Sequence, residues 1–224
     1  MTFDPARRSV LTHHDLGRFA GDTLFERIAR TVCRAGCLPR KELYESWEVA
    51  RRVRRRFRGG RVVDLACGHA LTSWILLILD GSSLSAVAVD VALPSSALRL
   101  SDALAGEWPQ LAPRLTMLQA DLASVELFST DLVVSIHACG ALSDLVLARA
   151  EAVRARVAVL PCCHDAARSD TGGLAGWLEP GLAIDVTRAA RLCQAGYVVH
   201  TQTIPAAITP KNRLLLASPA PANG

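Results

Sequence analysis

From Arg61 onward the chain repeats one rhythm, a short run of β-branched and small apolar residues, a loop, then an apolar segment of helical length. Arg61–Leu65, Ala86–Asp90, Leu115–Gln119, Asp131–Ile136 and Arg156–Leu160 read as five strands. Leu71–Leu79, Ser95–Ala105 and Ala141–Val153 read as helices between them, and another helix is expected over Leu182–Ala195. Apolar strands alternating with helices imply a parallel sheet covered on both faces. Tyr197–Thr203 and Arg213–Ala217 then follow with no helix between them, so the sheet is expected to end in a hairpin. The fold expected is α/β, a seven-stranded Rossmann-like sheet with helices on both faces.

A chain of 224 residues accommodates one such unit and a short extension. We expect an N-terminal helical extension over residues 1–60, the Rossmann-like domain over 61–218 and a tail over 219–224. Within the extension, Thr23–Arg34 reads as an amphipathic helix and Glu42–Phe57 as a second, ended by Gly59-Gly60. No apolar run has the length of a membrane span, and the first residues, with Asp4, Arg7 and Arg8, lack the apolar core of a secretory signal. Seven cysteines, an odd number, are then expected as reduced thiols in a cytoplasm. The net charge is only +4, yet Arg40–Arg61 holds nine Arg or Lys against Glu42, Glu45 and Glu48. One basic element therefore sits on a near-neutral domain, and it is a candidate surface for a polyanion such as RNA.

Ligands of open α/β sheets bind beyond the carboxyl ends of the strands. The first strand runs into Asp64-Leu-Ala-Cys-Gly-His-Ala. Gly68 allows a sharp turn and close approach of the backbone, with Ala66, Cys67 and Ala70 around it. Asp90 ends the second strand 22 residues further on, the spacing expected of an acid that takes two ribose hydroxyls. Asp121 and Leu122 follow the third strand, where an adenine edge would lie. The G-x-G-x-x-G of a pyrophosphate-binding dinucleotide site is absent, and Asp64 would repel a pyrophosphate. A carboxylate there suits S-adenosylmethionine, which carries an ammonium and a sulfonium. The plainer alternative is that these acids cap helices or turns.

The stretch Asp64–Ala70 resembles motif I of class I S-adenosylmethionine-dependent methyltransferases, with Ala70 where a third glycine is usual. Ser135-Ile-His-Ala-Cys-Gly-Ala-Leu-Ser-Asp144 and Leu160-Pro-Cys-Cys-His164 are similar to a methyltransferase-like group. That group includes an animal protein with a glutathione-transferase C-terminal domain and, more remotely, tRNA 2′-O-methyltransferases. The likeness covers about residues 40–217. It implies the class I methyltransferase sheet, S-adenosylmethionine as cofactor and an oxygen of RNA as the favoured acceptor. A small-molecule or protein acceptor, or a non-catalytic module that only binds the cofactor, are the alternatives.

His137 and Cys139 follow the fourth strand, and Cys162, Cys163 and His164 follow the fifth. Neighbouring strands bring both loops to one crevice, so these five are expected as one cluster beside the transferring methyl group. A histidine titrates near neutrality, which makes His137 or His164 a candidate base, and His137 also borders the cofactor. The alternative is that Cys139, Cys162, Cys163, His164 and His137 converge on zinc, but we expect no metal here. The adjacent Cys162 and Cys163 are expected to point in different directions, and no C-x-x-C pair is present. Two further features are a basic turn, Thr209-Pro-Lys-Asn-Arg213, and a glycine-rich loop, Asp170–Trp177, that could form a lid.

Overall fold

The computed structural model describes residues 4–221. Seven strands form one sheet: β1 (Val62–Leu65), β2 (Ala86–Asp90), β3 (Leu115–Gln119), β4 (Leu132–Ser135), β5 (Arg156–Val159), β6 (Tyr197–Thr203) and β7 (Arg213–Pro219). Their order is β3-β2-β1-β4-β5-β7-β6, parallel except for β7, which runs antiparallel between β5 and β6. Crossing from β3 back to β1 and then out to β4 reverses the strand order at β1 and β4, and this reversal opens the crevice in which such sheets bind ligands. Strand β7 runs further than expected: Pro219 pairs with Tyr197, and the Ala220 amide donates to the Gly196 carbonyl at 2.9 Å. Residues 222–224 of the expected tail lie outside the described residues.

The helices are α1 (Leu24–Ala35), α2 (Arg40–Arg56), α3 (Leu71–Leu79), α4 (Ser95–Glu107), α5 (Ala141–Ala152) and α6 (Pro180–Gln194). Helix α1 begins with a capping box in which Thr23 and Glu26 satisfy each other's amides, and it ends at Gly36 in the left-handed conformation. Helix α2 starts two residues before the expected Glu42, and α6 starts at Pro180, where the Glu179 carboxylate accepts from the Gly181 and Leu182 amides.

Alternate strand residues feed two cores. Val62, Leu132, Val134 and Ala158 face α1 to α4, while Val63, Leu65, Val133 and Val157 face α5 and α6. The first core runs without a break from Leu11, Ile28, Leu38 and Val49 of the N-terminal segment to Trp74, Leu100 and Leu104 of the sheet-covering helices. Helices α1 and α2 therefore share the core of the sheet. Among the described residues, no helix is long and apolar enough to cross a membrane.

Candidate active site

The loop after β1 is shaped by three consecutive alternate residues with positive φ: Ala66 (57°), Gly68 (53°) and Ala70 (58°). Gly68 suits this region, whereas the two alanines are strained in it by roughly 1–2 kcal/mol each. Asp90 fixes the loop, its Oδ2 accepting from the Gly68 amide at 3.0 Å and its Oδ1 from the Ala92 amide at 3.1 Å. Each oxygen keeps a lone pair for a ligand hydroxyl. On the loop's flank His69 Nε2 lies 3.0 Å from Ser96 Oγ and Nδ1 lies 3.4 Å from a Glu42 oxygen, joining the loop to α4 and α2. Nothing local in the sequence announces these contacts, because all three partners come from separate elements.

Asp64 sits beneath the loop, 1% exposed, on the face of β1 that meets α3. Ser73 Oγ donates to its Oδ2 at 2.9 Å, and its Oδ1 is buried without a hydrogen-bond partner. Burial pushes its pKa up to about 7, against the lowering effect of Ser73. An unpaired buried carboxylate oxygen at the switch point is what a cationic ligand would satisfy, so the residues present fit S-adenosylmethionine. Cys67 is buried, its thiol pushed up by desolvation. Asp121 is exposed and caps the short turn Leu122–Ser124 by accepting from the Ala123 amide at 2.8 Å, while Leu122 is buried in the second core. Asp121 is thus both cap and strand-end acid, and Leu122 offers a ligand only its backbone.

His137 links this loop to a second cleft. Its Cδ2 lies 3.6 Å from where a Cβ on Gly68 would stand. The cleft, of about 410 Å³, is lined by His137, Cys162 and Cys163, by Pro39, Lys41, Glu42 and Glu45 around the start of α2, by Thr209, Pro210 and Lys211, and by Arg8. Burial lowers the His137 pKa, which favours the neutral imidazole.

The five residues expected as one cluster divide. Cys139 Sγ lies 2.8 Å from Cys162 Sγ, and the sulfurs of Cys139, Cys162 and Cys163 all lie within 4.8 Å of one another. The expectation that Cys162 and Cys163 diverge is corrected: residues 160–164 lack regular strand geometry, so successive side chains need not alternate. Burial raises the Cys139 and Cys162 thiols; at Cys163 burial is outweighed by hydrogen bonds from its neighbours and the Lys211 ammonium, and the thiol is lowered. His164 stands apart, its Nε2 2.8 Å from Asp185 Oδ1 on α6. Asp185 also accepts from Arg213 Nε at 2.6 Å and Arg188 at 3.3 Å. His164 is thereby tied into an ion-pair network that joins the β5 loop to α6 and β7.

The basic element also differs from its sequence reading. Arg54 is buried (4% exposed), its Nε donating to the Leu76 carbonyl at 3.0 Å and its guanidinium to Ser83 Oγ at 2.9 Å. Arg51 and Arg52 pair with Glu48, Lys41 with Glu45, Arg58 with Asp80 and Arg61 with Asp131. Arg40 donates to the Asp4 carbonyl and Arg56 meets His200. The Arg51–Arg56 end of α2 lies at the amino edge of the sheet, about 16–24 Å along the helix from the cleft at its start.

The sheet order and the reversed β7 are those of the class I methyltransferase fold, whose members use S-adenosylmethionine. Residues 41–170 match the family described as "Methyltransferase domain", and the chain belongs to that family. No curated protein matches the chain in sequence. Among solved structures it is similar to the tRNA methyltransferase TrmK of B. subtilis, with a TM-score of 0.52, 15% identity, and 77% of this chain and 65% of that one covered. It is likewise similar to the magnesium protoporphyrin IX methyltransferase ChlM of Synechocystis with bound SAH (TM-score 0.53, 15% identity, 92% and 94% covered). A third is the mitomycin 7-O-methyltransferase MmcR (TM-score 0.52, 16% identity, 95% and 65% covered). The chain thus spans less than two thirds of the length of two of these three, and at these identities the likeness is one of fold.

Proposed function

We propose that the protein methylates an oxygen of RNA, one nucleotide entering the cleft between the start of α2 and the loops after β4 and β5. The observation that carries this reading is the place of the His137 imidazole, between the Gly68 turn and a cleft lined by Arg8, Lys41 and Lys211 together with Glu42 and Glu45. S-adenosylmethionine supplies an electrophilic methyl group. Asp64 would hold its positive end, Asp90 its ribose hydroxyls and Asp121 its adenine edge, and S-adenosylhomocysteine would leave once the methyl group is transferred. His137 accepts the proton of the attacking hydroxyl, and the narrow cleft aligns that oxygen for in-line attack. Arg8 and Lys211 meet phosphates, since the arginines of α2 are largely engaged within the protein and lie at the wrong end of it. Trp177, 89% exposed in the loop after β5, offers a stacking surface for a neighbouring base.

A small-molecule acceptor is the second reading, favoured by the cleft volume of about 410 Å³, which is within the range of small-ligand pockets. The test is transfer of labelled methyl to total RNA, to a metabolite extract and to protein. Label in RNA, on an oxygen after digestion to nucleosides, is expected. Label confined to the metabolite fraction would replace the first reading with the second, and label on protein alone would overturn both.

A further inference from the structure

We propose that Cys139, Cys162 and Cys163 form a zinc site on the rim of the acceptor cleft. The inference rests on the cysteine geometry and stands whether or not RNA is the acceptor. Zinc held tetrahedrally at ~2.3 Å from each thiolate places the sulfurs ~3.8 Å apart. The three sulfurs here lie within 4.8 Å of one another, with one pair at 2.8 Å, so small side-chain rotations bring them to those spacings around one ion.

The loops that carry them are held in place independently of any ion. The Gly140 amide donates to the Cys163 carbonyl at 3.1 Å, stitching the β4 loop to the β5 loop. Buried Arg188 donates to the Gly140 carbonyl at 3.1 Å and to both Asp144 oxygens at 2.8 Å, and Ser143 Oγ donates to the Ala138 carbonyl at 2.6 Å. Ligands positioned before the ion arrives lose little conformational freedom on binding it. Lys211, beside Cys163 on the cleft wall, offsets the net negative charge that three thiolates leave on a divalent ion.

The other four cysteines make no such group. Cys33 and Cys37 are buried in the first core, Cys67 is buried in the loop after β1, and Cys193 is exposed on α6. In the trio, Cys139 and Cys163 are exposed and Cys162 half-buried, so an ion can enter from solvent. No fourth histidine, cysteine or carboxylate joins the group among the described residues. Three protein ligands with one position left open is the arrangement of zinc sites that exchange a bound water.

The test is metal analysis of the full-length protein purified under reducing conditions without chelator, together with titration of the metal-free protein by zinc and by cobalt(II). One zinc per chain is expected, and cobalt should give intense sulfur-to-metal absorption with the visible bands of a tetrahedral site. Cys139→Ser, Cys162→Ser and Cys163→Ser should each abolish the bands, and Cys193→Ser should leave them unchanged. If a variant fails to fold, the cobalt spectrum of the unaltered protein decides alone. Absence of thiolate–cobalt absorption overturns the proposal. So does finding Cys139 and Cys162 joined as a disulfide that does not take up zinc once reduced.

Discussion

Asp64 carries a charge where the protein alone does little to stabilise one. Its folded pKa of about 7 lies above the ordinary value of 3.8, so the folded chain holds the proton more tightly than the unfolded chain does. The stability this contributes is complete below about pH 4 and is lost as pH rises through about 7. Thermal unfolding of the cofactor-free protein is therefore expected to occur at lower temperature as pH rises from about 5 to 8. S-adenosylmethionine should flatten the slope by stabilising the carboxylate, and Asp64→Asn should remove it. A slope unchanged in Asp64→Asn would assign the effect elsewhere. His137 is predicted to act on the acceptor. His137→Ala should lower turnover on the order of 10²-fold or more, as expected for loss of a general base, while cofactor affinity measured by calorimetry changes little. A large loss of affinity with normal turnover would remove it from that role. The strand-end acids were legible because each lies within two residues of the carboxyl end of its strand. Lys41 and Arg8 were not, since only the packing of the N-terminal segment brings them to the cleft.

Arg54 shows how an element can mislead when its charges are counted without its partners. Helix α3 has no basic residue in its last turn, and Arg54 of α2 supplies the missing donor to the Leu76 carbonyl. Arg54→Ala should destabilise the protein by ~2–4 kcal/mol in chemical unfolding, through an unpaired carbonyl and lost packing. Arg55, exposed beside it, should be replaceable at no measurable cost. RNA binding, if the proposed function holds, should weaken with rising salt and with Arg8→Ala or Lys211→Ala, but not with Arg55→Ala. An equal loss in all three would return the interface to α2. The helix itself and its length were readable from its periodicity and from Gly59-Gly60. Its paired and buried arginines were not, because Glu48 and Asp80 look equally solvated in a sequence. The strand-loop turn carries a smaller prediction: Ala66→Gly, relieving a positive φ at a half-buried residue, should raise stability by up to ~1 kcal/mol.

At the scale of the molecule, the α/β sheet and its closing hairpin could be read from the alternation of elements, whereas the strand order and the standing of the first forty residues could not. Leu11, Ile28, Val32 and Leu38 are fully buried in the same core as Trp74 and Leu104, and an isolated bridge between Val10 and Pro39 closes the segment on itself. A chain begun at residue 40 should therefore melt far lower than the full protein, or aggregate; an unchanged melting temperature would show that the segment is dispensable. The place of β7 has a consequence for synthesis. It follows the other six described strands in the chain, yet it lies inside the sheet, and among the described residues β6 pairs with it alone. Until Arg213–Pro219 leaves the ribosome, β5 has an open edge and β6 has no partner, so a chain halted before residue 213 presents strands that other chains can add to. The sheet is thus completed only once Arg213–Pro219 has emerged. The turn before β7, at Thr209–Lys211, also lines the cleft proposed to take the acceptor.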